Sequence, residues 1–360
     1  MLPLPILPTR ARAPVGSPHL DGGVPRFERS VLFALMRVVV TGGAGFIGSN
    51  LCSVLVERGH HVGVVDNFST GREEFLDGVM GSDRLEIHRC DLLRDAELLP
   101  GIVDGADAVV HFAANADVRF GLDHPRRDLE QNVIATHNVL EALRQAHVPE
   151  IVFASTGSVY GDAAVIPTPE AAPFPRQTSL YGASKLAAEG FIAAYVEGFG
   201  ISASVYRFVS VLGRHYTHGH VLDFVAQLLA HPHSLHVLGD GSQRKSYLEV
   251  GDCVDAIAAR LGRATGFEVF NLGVADYCTV DASASWICER MGVEPERSYS
   301  GGDRGWVGDN PFILLDTTKI LATGWRPRHT IQDAVERTVD FLLANRGLLD
   351  SVVSHDGARR

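Results

Sequence analysis

Short β-branched runs that stay apolar on successive residues constrain this chain more than any other feature. They lie at 37–41 (RVVVT), 61–66 (HVGVVD), 85–89 (LEIHR), 107–113 (DAVVHFA), 151–155 (IVFAS), 202–208 (SASVYRF) and 267–272 (FEVFNL). Plausible helices fall between them, near 46–58, 126–146, 180–198 and 253–263. A strand with one wet face alternates apolar and polar residues, so strands apolar at nearly every position must be covered on both faces. That rhythm predicts an α/β fold, a doubly wound parallel sheet with helices on each side. After about residue 210 the rhythm loosens and Gly, His and Pro become frequent, up to a last helix near 331–344. The expected organisation is a nucleotide-binding domain over 36–210 and a smaller C-terminal lobe, mainly for substrate, over 211–345. Residues 1–35 are Pro-rich and read as a disordered extension, or as sequence ahead of a start at Met36; 346–360 read as a loose tail.

The first run leads straight into TGGAGFIG, Thr41 to Gly48, which also opens the first helix. Gly42, Gly45 and Gly48 have the spacing GxxGxxG. Backbone without Cβ atoms can turn tightly, approach a pyrophosphate and present N–H groups at a helix N-terminus. Gly-rich turns have many uses, and it is the strand–loop–helix context that points to a dinucleotide. The next run ends at Asp66, where a carboxylate can bond the adenosine ribose hydroxyls and repel a 2′-phosphate, favouring NAD over NADP. Arg72, which would argue the other way, lies beyond the turn. The plainer role for Asp66 is an Asx-turn closing the strand. Asp91 follows the third run, placed either to accept from the adenine amino group or to cap the next helix.

At 181–185 the chain reads YGASK. Tyr181 and Lys185 share one helix face about a turn apart. A neighbouring ammonium and the nicotinamide charge would lower the tyrosine pKa, so that a phenolate could take a hydroxyl proton near neutral pH. The fifth run ends in ASTGSVYG (154–161), where Ser155 or Thr156 would bring a hydroxyl to the C-terminal edge of the sheet. Asn132, on the helix before that strand, faces inward as polar support for the site. His111 and Trp325 read as packing. No metal is expected, since no Cys or carboxylate completes a site beside His215, His218 and His220.

In order and spacing, TGGAGFIG, DNFSTG, the CDL segment, HFAA, NVIATHNVLEA, STGSVYG and YGASK resemble the extended short-chain dehydrogenase/reductase family. More narrowly, the chain is similar to the nucleotide-sugar epimerases and dehydratases over about residues 36–345. The resemblance implies a Rossmann domain holding NAD, with Thr156, Tyr181 and Lys185 as the catalytic set. Carried onto the matching motifs, it places Gly42, Gly45, Phe46, Ile47, Gly48, Asp66, Asn67, Asp91 and Leu92 at the cofactor. Ala113, Ala114, Asn132, Ser155, Tyr181 and Lys185 complete that set.

Sugar 4,6-dehydratases of the family carry an Asp-Glu pair after the catalytic Thr, and the sugar-acid decarboxylases usually place a Glu before VYG. Here Gly157 and Ser158 stand at those positions. The resemblance then implies oxidation and re-reduction at one carbon, the C4 epimerisation of a UDP-sugar. Tyr181 would take the C4 hydroxyl proton while the C4 hydride passes to NAD. Lys185 would hold the nicotinamide ribose and Thr156 the C4 oxygen, before the 4-keto sugar turns over and takes the hydride back.

Ser210 stands where the family commonly has an Asn on the sugar diphosphate; the family's uronic-acid 4-epimerases also replace that Asn by a hydroxyl residue, and Arg214 is close enough in sequence to meet a carboxylate. UDP-glucuronate is therefore favoured slightly over UDP-glucose. Arg244 and Lys245 in GDGSQRKSY, and Arg304 in GGDRGWVGD with Trp306 in place of a frequent Arg, are expected on the diphosphate. The bland alternative for Arg244 and Arg304 is a solvated loop charge. The substrate set is completed by Ser155 and Thr156. Rival readings are another nucleotide-sugar dehydratase or 4-ketoreductase, or a non-catalytic dinucleotide sensor, against which the presence of both Tyr181 and Lys185 argues.

A formal net charge of −11 argues against nucleic acid as the main partner. No run approaches the ~18 apolar residues of a membrane helix. Five cysteines without CxxC or zinc spacing fit a reducing cytoplasm. A homodimer, through the helices near 126–146 and 180–198, is implied by the resemblance.

Overall fold

The computed structural model describes residues 35–116, 123–174, 176–305, 310 and 312–349. The readings made for residues 1–34, for the tail beyond 349 and for Trp306 lie outside them. The strands are β1 (Arg37–Thr41), β2 (His61–Asp66), β3 (Leu85–Arg89), β4 (Ala108–His111), β5 (Glu150–Thr156), β6 (Ser202–Phe208) and β7 (Phe267–Leu272). They form one sheet in the order β7-β6-β5-β4-β1-β2-β3, with every pair parallel. From β1 the chain steps outward to β2 and β3, then returns to β4 on the other side of β1. That reversal opens a crevice at the C-terminal strand ends, where such sheets bind ligands.

The longer helices are α1 (Phe46–Glu57), α2 (Ala135–Gln145), α3 (Leu180–Phe199), α4 (His220–Ala230), α5 (Val250–Arg260), α6 (Val280–Met291) and α7 (Ile331–Ala344). Alternate residues of each strand feed two cores. Val38, Val40, Val62 and Val64 pack with Leu51 and Leu55 of α1 and with Cys253 and Ile257 of α5. Val39, Val109, Ile151 and Phe153 pack on the other face with Val139 and Leu143 of α2 and with Ala188 and Ile192 of α3. Each such side chain contributes about 1.5–3 kcal/mol on burial, and a polar residue in any of these runs would forfeit it on one face.

The segment expected as one helix over 126–146 is continuous but not uniform. Pro125–Asp128 is a single α turn, Leu129–Ile134 winds as a π-helix, and α2 follows. The segment after residue 210 does not stay apart from the sheet, since β7 lies beside β6 and α5 packs against α1. Its own small ladders pair Ser210–Leu212 with Tyr247–Glu249, and set Arg244–Lys245 between Cys278–Thr279 and Phe312–Ile313. Among the described residues, no helix is long and apolar enough to cross a membrane.

Candidate active site

The glycine loop has the shape its spacing implies. Gly42 has φ +68°, and a Cβ there would lie 2.7 Å from the backbone nitrogen of Ala113. At Gly48 a Cβ would come within 2.2 Å of the Gly42 carbonyl oxygen. Residue 42 is therefore glycine for its own backbone, and residue 48 for the turn it supports. Gly45 is the N-cap of α1, so no side chain takes the first amides, and Phe46 and Ile47 open the helix. Free amides at a helix start beside the crevice suit a pyrophosphate.

Asp66 does two jobs. Its Oδ1 accepts from the Phe68 amide at 2.8 Å, which is the Asx-turn, and its Oδ2 from the Ala44 amide at 3.0 Å, which ties it to the glycine loop. Burial pushes its carboxyl up while those two amides and Arg89 pull it down. Each oxygen retains acceptor capacity for ribose hydroxyls. Gly71, which the sequence reading passed over, packs on this carboxylate: a Cβ there would sit 2.8 Å from both oxygens. Asp91 closes the turn after β3, with Oδ1 taking the amides of Leu93 at 2.9 Å and Arg94 at 3.2 Å, while the N-cap of the next helix, Ala96–Leu98, is Asp95. Asp91 Oδ2 accepts from Asn67 Nδ2 at 2.9 Å, which braces the loops after β2 and β3. Leu92 is buried behind them, and Ala113 and Ala114 run past Gly42 on the loop after β4. This cradle, floored by glycine and edged by a carboxylate, fits a dinucleotide without a 2′-phosphate.

Thr156, Tyr181, Lys185 and Asn132 converge at the crevice. Thr156 acts on the Tyr181 phenol, and its Oγ1 accepts from the Ser158 amide at 3.1 Å and donates to Ser158 Oγ at 3.2 Å. Lys185 is 3% exposed; its Nζ donates to the Ala154 carbonyl at 2.8 Å and lies 4.8 Å from the centre of the Phe153 ring. Burial pulls the ammonium down to about 8, with Glu189 and Asp128 working against it. For the tyrosine, the expected pull of the ammonium does not prevail among the protein's own groups. Burial pushes its phenol up to about 12, opposed by the Thr156 hydrogen bond and reinforced by Asp128, so the protein's own groups do not acidify it. Asn132 sits in the π turn, a feature often found at functional sites. Its Oδ1 accepts from the Asn115 amide at 2.8 Å and its Nδ2 donates to Ser184 Oγ at 2.9 Å.

Ser155 has a different place from the one expected. Neighbouring residues on a strand point to opposite faces, and the Ser155 hydroxyl donates to Glu189 inside the protein. Glu189 is bound by Arg207 at 2.7 and 3.1 Å, and Arg207 Nη1 also donates to Tyr160 Oη at 2.7 Å. Sequence reading missed this buried network, although Glu189 lies on the same helix face as Lys185, one turn further on. His111 is fixed between Thr41 and Thr136, at 2.7 and 3.0 Å, and burial pulls its imidazole down to about 3.

The substrate-side residues are less gathered. Ser210 is exposed at the start of its short strand. The Arg214 side chain turns to His215 Nε2 at 2.8 Å, and its carbonyl accepts from Asn50 of α1 at 3.0 Å. Arg244 stacks on Phe312, 3.9 Å from the ring centre, Lys245 Nζ donates to the Asn310 carbonyl at 2.6 Å, and Arg304 pairs with Asp162 at 3.2 Å. Glu249, Asp252 and His329 lie close enough to hold a metal. Their oxygens are already engaged: Glu249 caps α5, and Asp252 Oδ2 takes the amides of Arg328 and His329.

The family model described as the NAD dependent epimerase/dehydratase family matches residues 38–273. UDP-glucose 4-epimerase of Mycolicibacterium smegmatis is 32% identical over 312 residues, covering 85% of this chain and 98% of that protein. A crystal structure of a UDP-galactose 4-epimerase is 41% identical with a TM-score of 0.76, covering 86% of this chain and 99% of the other. MoeE5, solved with UDP-glucuronic acid and NAD, is 28% identical with a TM-score of 0.74 and covers 86% and 99%. NAD is thus the cofactor of this chain. The chain belongs to the NAD-dependent epimerase/dehydratase family.

Proposed function

We propose that this protein epimerises C4 of a UDP-sugar and returns its cofactor unchanged. The observation that carries the reading is the Thr156–Tyr181–Lys185 set with Gly157 and Ser158, and no acid pair, directly after Thr156. A dehydration needs a further acid and base, and the positions after Thr156 hold Gly157 and Ser158, with little spare room at Gly157. A Cβ on Gly157 would come within 3.2 Å of Ile313 Cγ2 and 3.3 Å of the Phe208 carbonyl oxygen.

Tyr181 takes the C4 hydroxyl proton and later gives it back, and Thr156 holds the C4 oxygen through both steps. Lys185 would hold the nicotinamide ribose with the protons that Ala154 leaves free. Bound NAD supplies the hydride acceptor and donor, and its positive ring favours the Tyr181 phenolate that the protein alone disfavours.

UDP-glucose and UDP-galactose are the better-supported pair, because the arginine invoked for a uronate carboxylate, Arg214, is turned onto His215 at the α1 side. UDP-glucuronate keeps one supporting observation, the exposed hydroxyl of Ser210. Incubating the protein with each nucleotide sugar, without added cofactor, and following the anomeric protons by NMR decides between them. A mixture of C4 epimers forming from one substrate supports the reading, and no change with either, NAD supplied, rejects both. We also infer a homodimer through the π turn and α3, which leave Leu129, Ile134, Phe191 and Phe199 exposed on their surface; a monomeric mass by sedimentation would reject it.

A further inference from the structure

Gly71 lacks a side chain at the point where the Asp66 carboxylate leaves no room for one. A Cβ there would lie 2.8 Å from Oδ1, 2.8 Å from Oδ2 and 3.0 Å from Cγ. Equal distances to the two oxygens, both shorter than the distance to carbon, put that Cβ in front of the oxygen pair. The φ of Gly71 lies outside the left-handed region, so it is the contact that calls for glycine.

Both sides of the contact are pinned. Asp66 is 8% exposed, and its oxygens accept from the Phe68 amide at 2.8 Å and the Ala44 amide at 3.0 Å. The Ala44 carbonyl accepts from the Arg72 amide at 2.9 Å, which ties the residue after Gly71 to the same point of the glycine loop. Phe68 adopts φ +55°, uncommon for a bulky residue, and so delivers its amide to Asp66. The turn from Asp66 to Arg72 closes on Ala44 at both ends, with the carboxylate and Gly71 against each other inside it. Beside this anion stands a cation. Arg89 is the register partner of Asp66 on β3, and its guanidinium lies 4.2 Å from the centre of the Phe68 ring and pairs with Glu73 at 2.7 Å.

We propose that Gly71 is a specificity-determining position for the cofactor, keeping both Asp66 oxygens available to the vicinal hydroxyls of the adenosine ribose and so keeping a 2′-phosphate out. The inference rests on Asp66 facing that ribose and is independent of the epimerase reading. A side chain at 71 either displaces the carboxylate or fills the space in front of its oxygens. Both weaken the grip on the diol, and displacement also opens the place beside Arg89 to a phosphate.

A competition tests this. Full-length protein is equilibrated with equal NAD and NADP and separated from free dinucleotide, and the bound cofactors are released by heat and quantified by chromatography. In Gly71→Ala the bound NAD:NADP ratio falls by about tenfold or more, as for the loss of a hydrogen bond to a charged group. A glycine needed only to fold the loop would weaken both dinucleotides alike, so an unchanged ratio overturns the proposal. In an Asp66→Asn background, adding Gly71→Ala shifts the ratio by less than about twofold; a further fall of the full size would bypass Asp66 and overturn the proposal. If Asp66→Asn alone leaves the ratio unchanged, the ribose assignment of Asp66 fails and the proposal with it. If Asp66→Asn lowers the ratio and Gly71→Ala does not, the assignment stands and the role of Gly71 fails alone. Should Gly71→Ala not fold, Asp66→Ser in the same chain relieves the contact: recovered folding supports the proposal, and continued misfolding overturns it.

Discussion

Two regions meet at the C-terminal edge of the sheet, and they are held together differently. Around the cofactor cradle the hydrogen bonds to the two carboxylates are short in sequence: Ala44 to Asp66 spans 22 residues and Asn67 to Asp91 spans 24. Around the substrate side, Lys245 reaches Asn310 across 65 residues and Arg304 reaches Asp162 across 142. The cradle is also fixed by backbone sterics, since Gly42 and Gly48 have no room for a Cβ. The substrate side is fixed by side chains whose partners arrive from elsewhere in the fold. Damage to the first should therefore propagate to the whole loop, while damage to the second should stay with one contact.

The largest effect separates chemistry from both regions. Tyr181→Phe removes the proton acceptor and keeps the ring, so kcat falls by about 10²–10⁴ while bound NAD is retained. Epimerisation at more than a tenth of the original rate would take Tyr181 out of the mechanism and leave the cradle as the only part of the site understood.

Next comes the cradle itself. Gly42→Ala forces an L-residue to φ +68° with a Cβ 2.7 Å from the Ala113 nitrogen. The left-handed conformation alone costs about 1–2 kcal/mol, and relieving the contact displaces the pyrophosphate turn. NAD content after purification and a urea midpoint read the two consequences. A variant that kept full NAD occupancy would show that the cradle tolerates local change as the substrate side does, and the contrast would fail.

The same contrast explains what the sequence made legible. The bounds of β1, β2, β3, β6 and β7 follow from apolar runs that neighbouring Gly, Asp or Asn residues punctuate. Gly42 and Asp66 are readable because backbone conformation and strand position act within a few residues of the motif. Asn115 was not readable, because its place arises only when the π turn brings Asn132 between the loop after β4 and Ser184. Ser155 and Thr156 are neighbours in the motif, and a pleated strand sends them to opposite sides. Tyr181 was expected to be acidic from the nearby lysine together with the nicotinamide charge. Its burial in the folded protein outweighs every local pull, and no spacing rule carries that information.

A smaller effect belongs to the opposite edge of the sheet and serves as a control outside both regions. Glu150 starts β5 and is buried, which raises its carboxyl from 4.5 to about 7, with the amides of Gly262 and Ala264 opposing the shift. Because its folded value lies above its unfolded one, the native state binds the proton more tightly. The contribution is full below pH 4.5 and is lost as pH rises through 7. Glu150→Gln should flatten that slope and raise stability at pH 8 by about 1–3 kcal/mol, with NAD content and turnover unchanged. Parallel stability curves for the two proteins between pH 5 and 8 would mean that Glu150 is solvated.

The smallest effects should come from the substrate side, one charge at a time. Arg304 and Asp162 form an exposed pair, and such pairs contribute roughly 0–1 kcal/mol, so Arg304→Ala should barely move the melting temperature. If the guanidinium leaves Asp162 for a diphosphate, the KM for the nucleotide sugar rises by about 3–30-fold with kcat near its original value, since the contact is made equally in ground and transition states. Lys245→Met tests the neighbouring charge in the same way, at the added cost of the bond to the Asn310 carbonyl. A rise in KM for one variant and not the other identifies which cation the diphosphate uses. A fall in kcat for either would place that residue in the chemistry and erase the division between a region that shapes the cofactor loop and one that only grips the substrate.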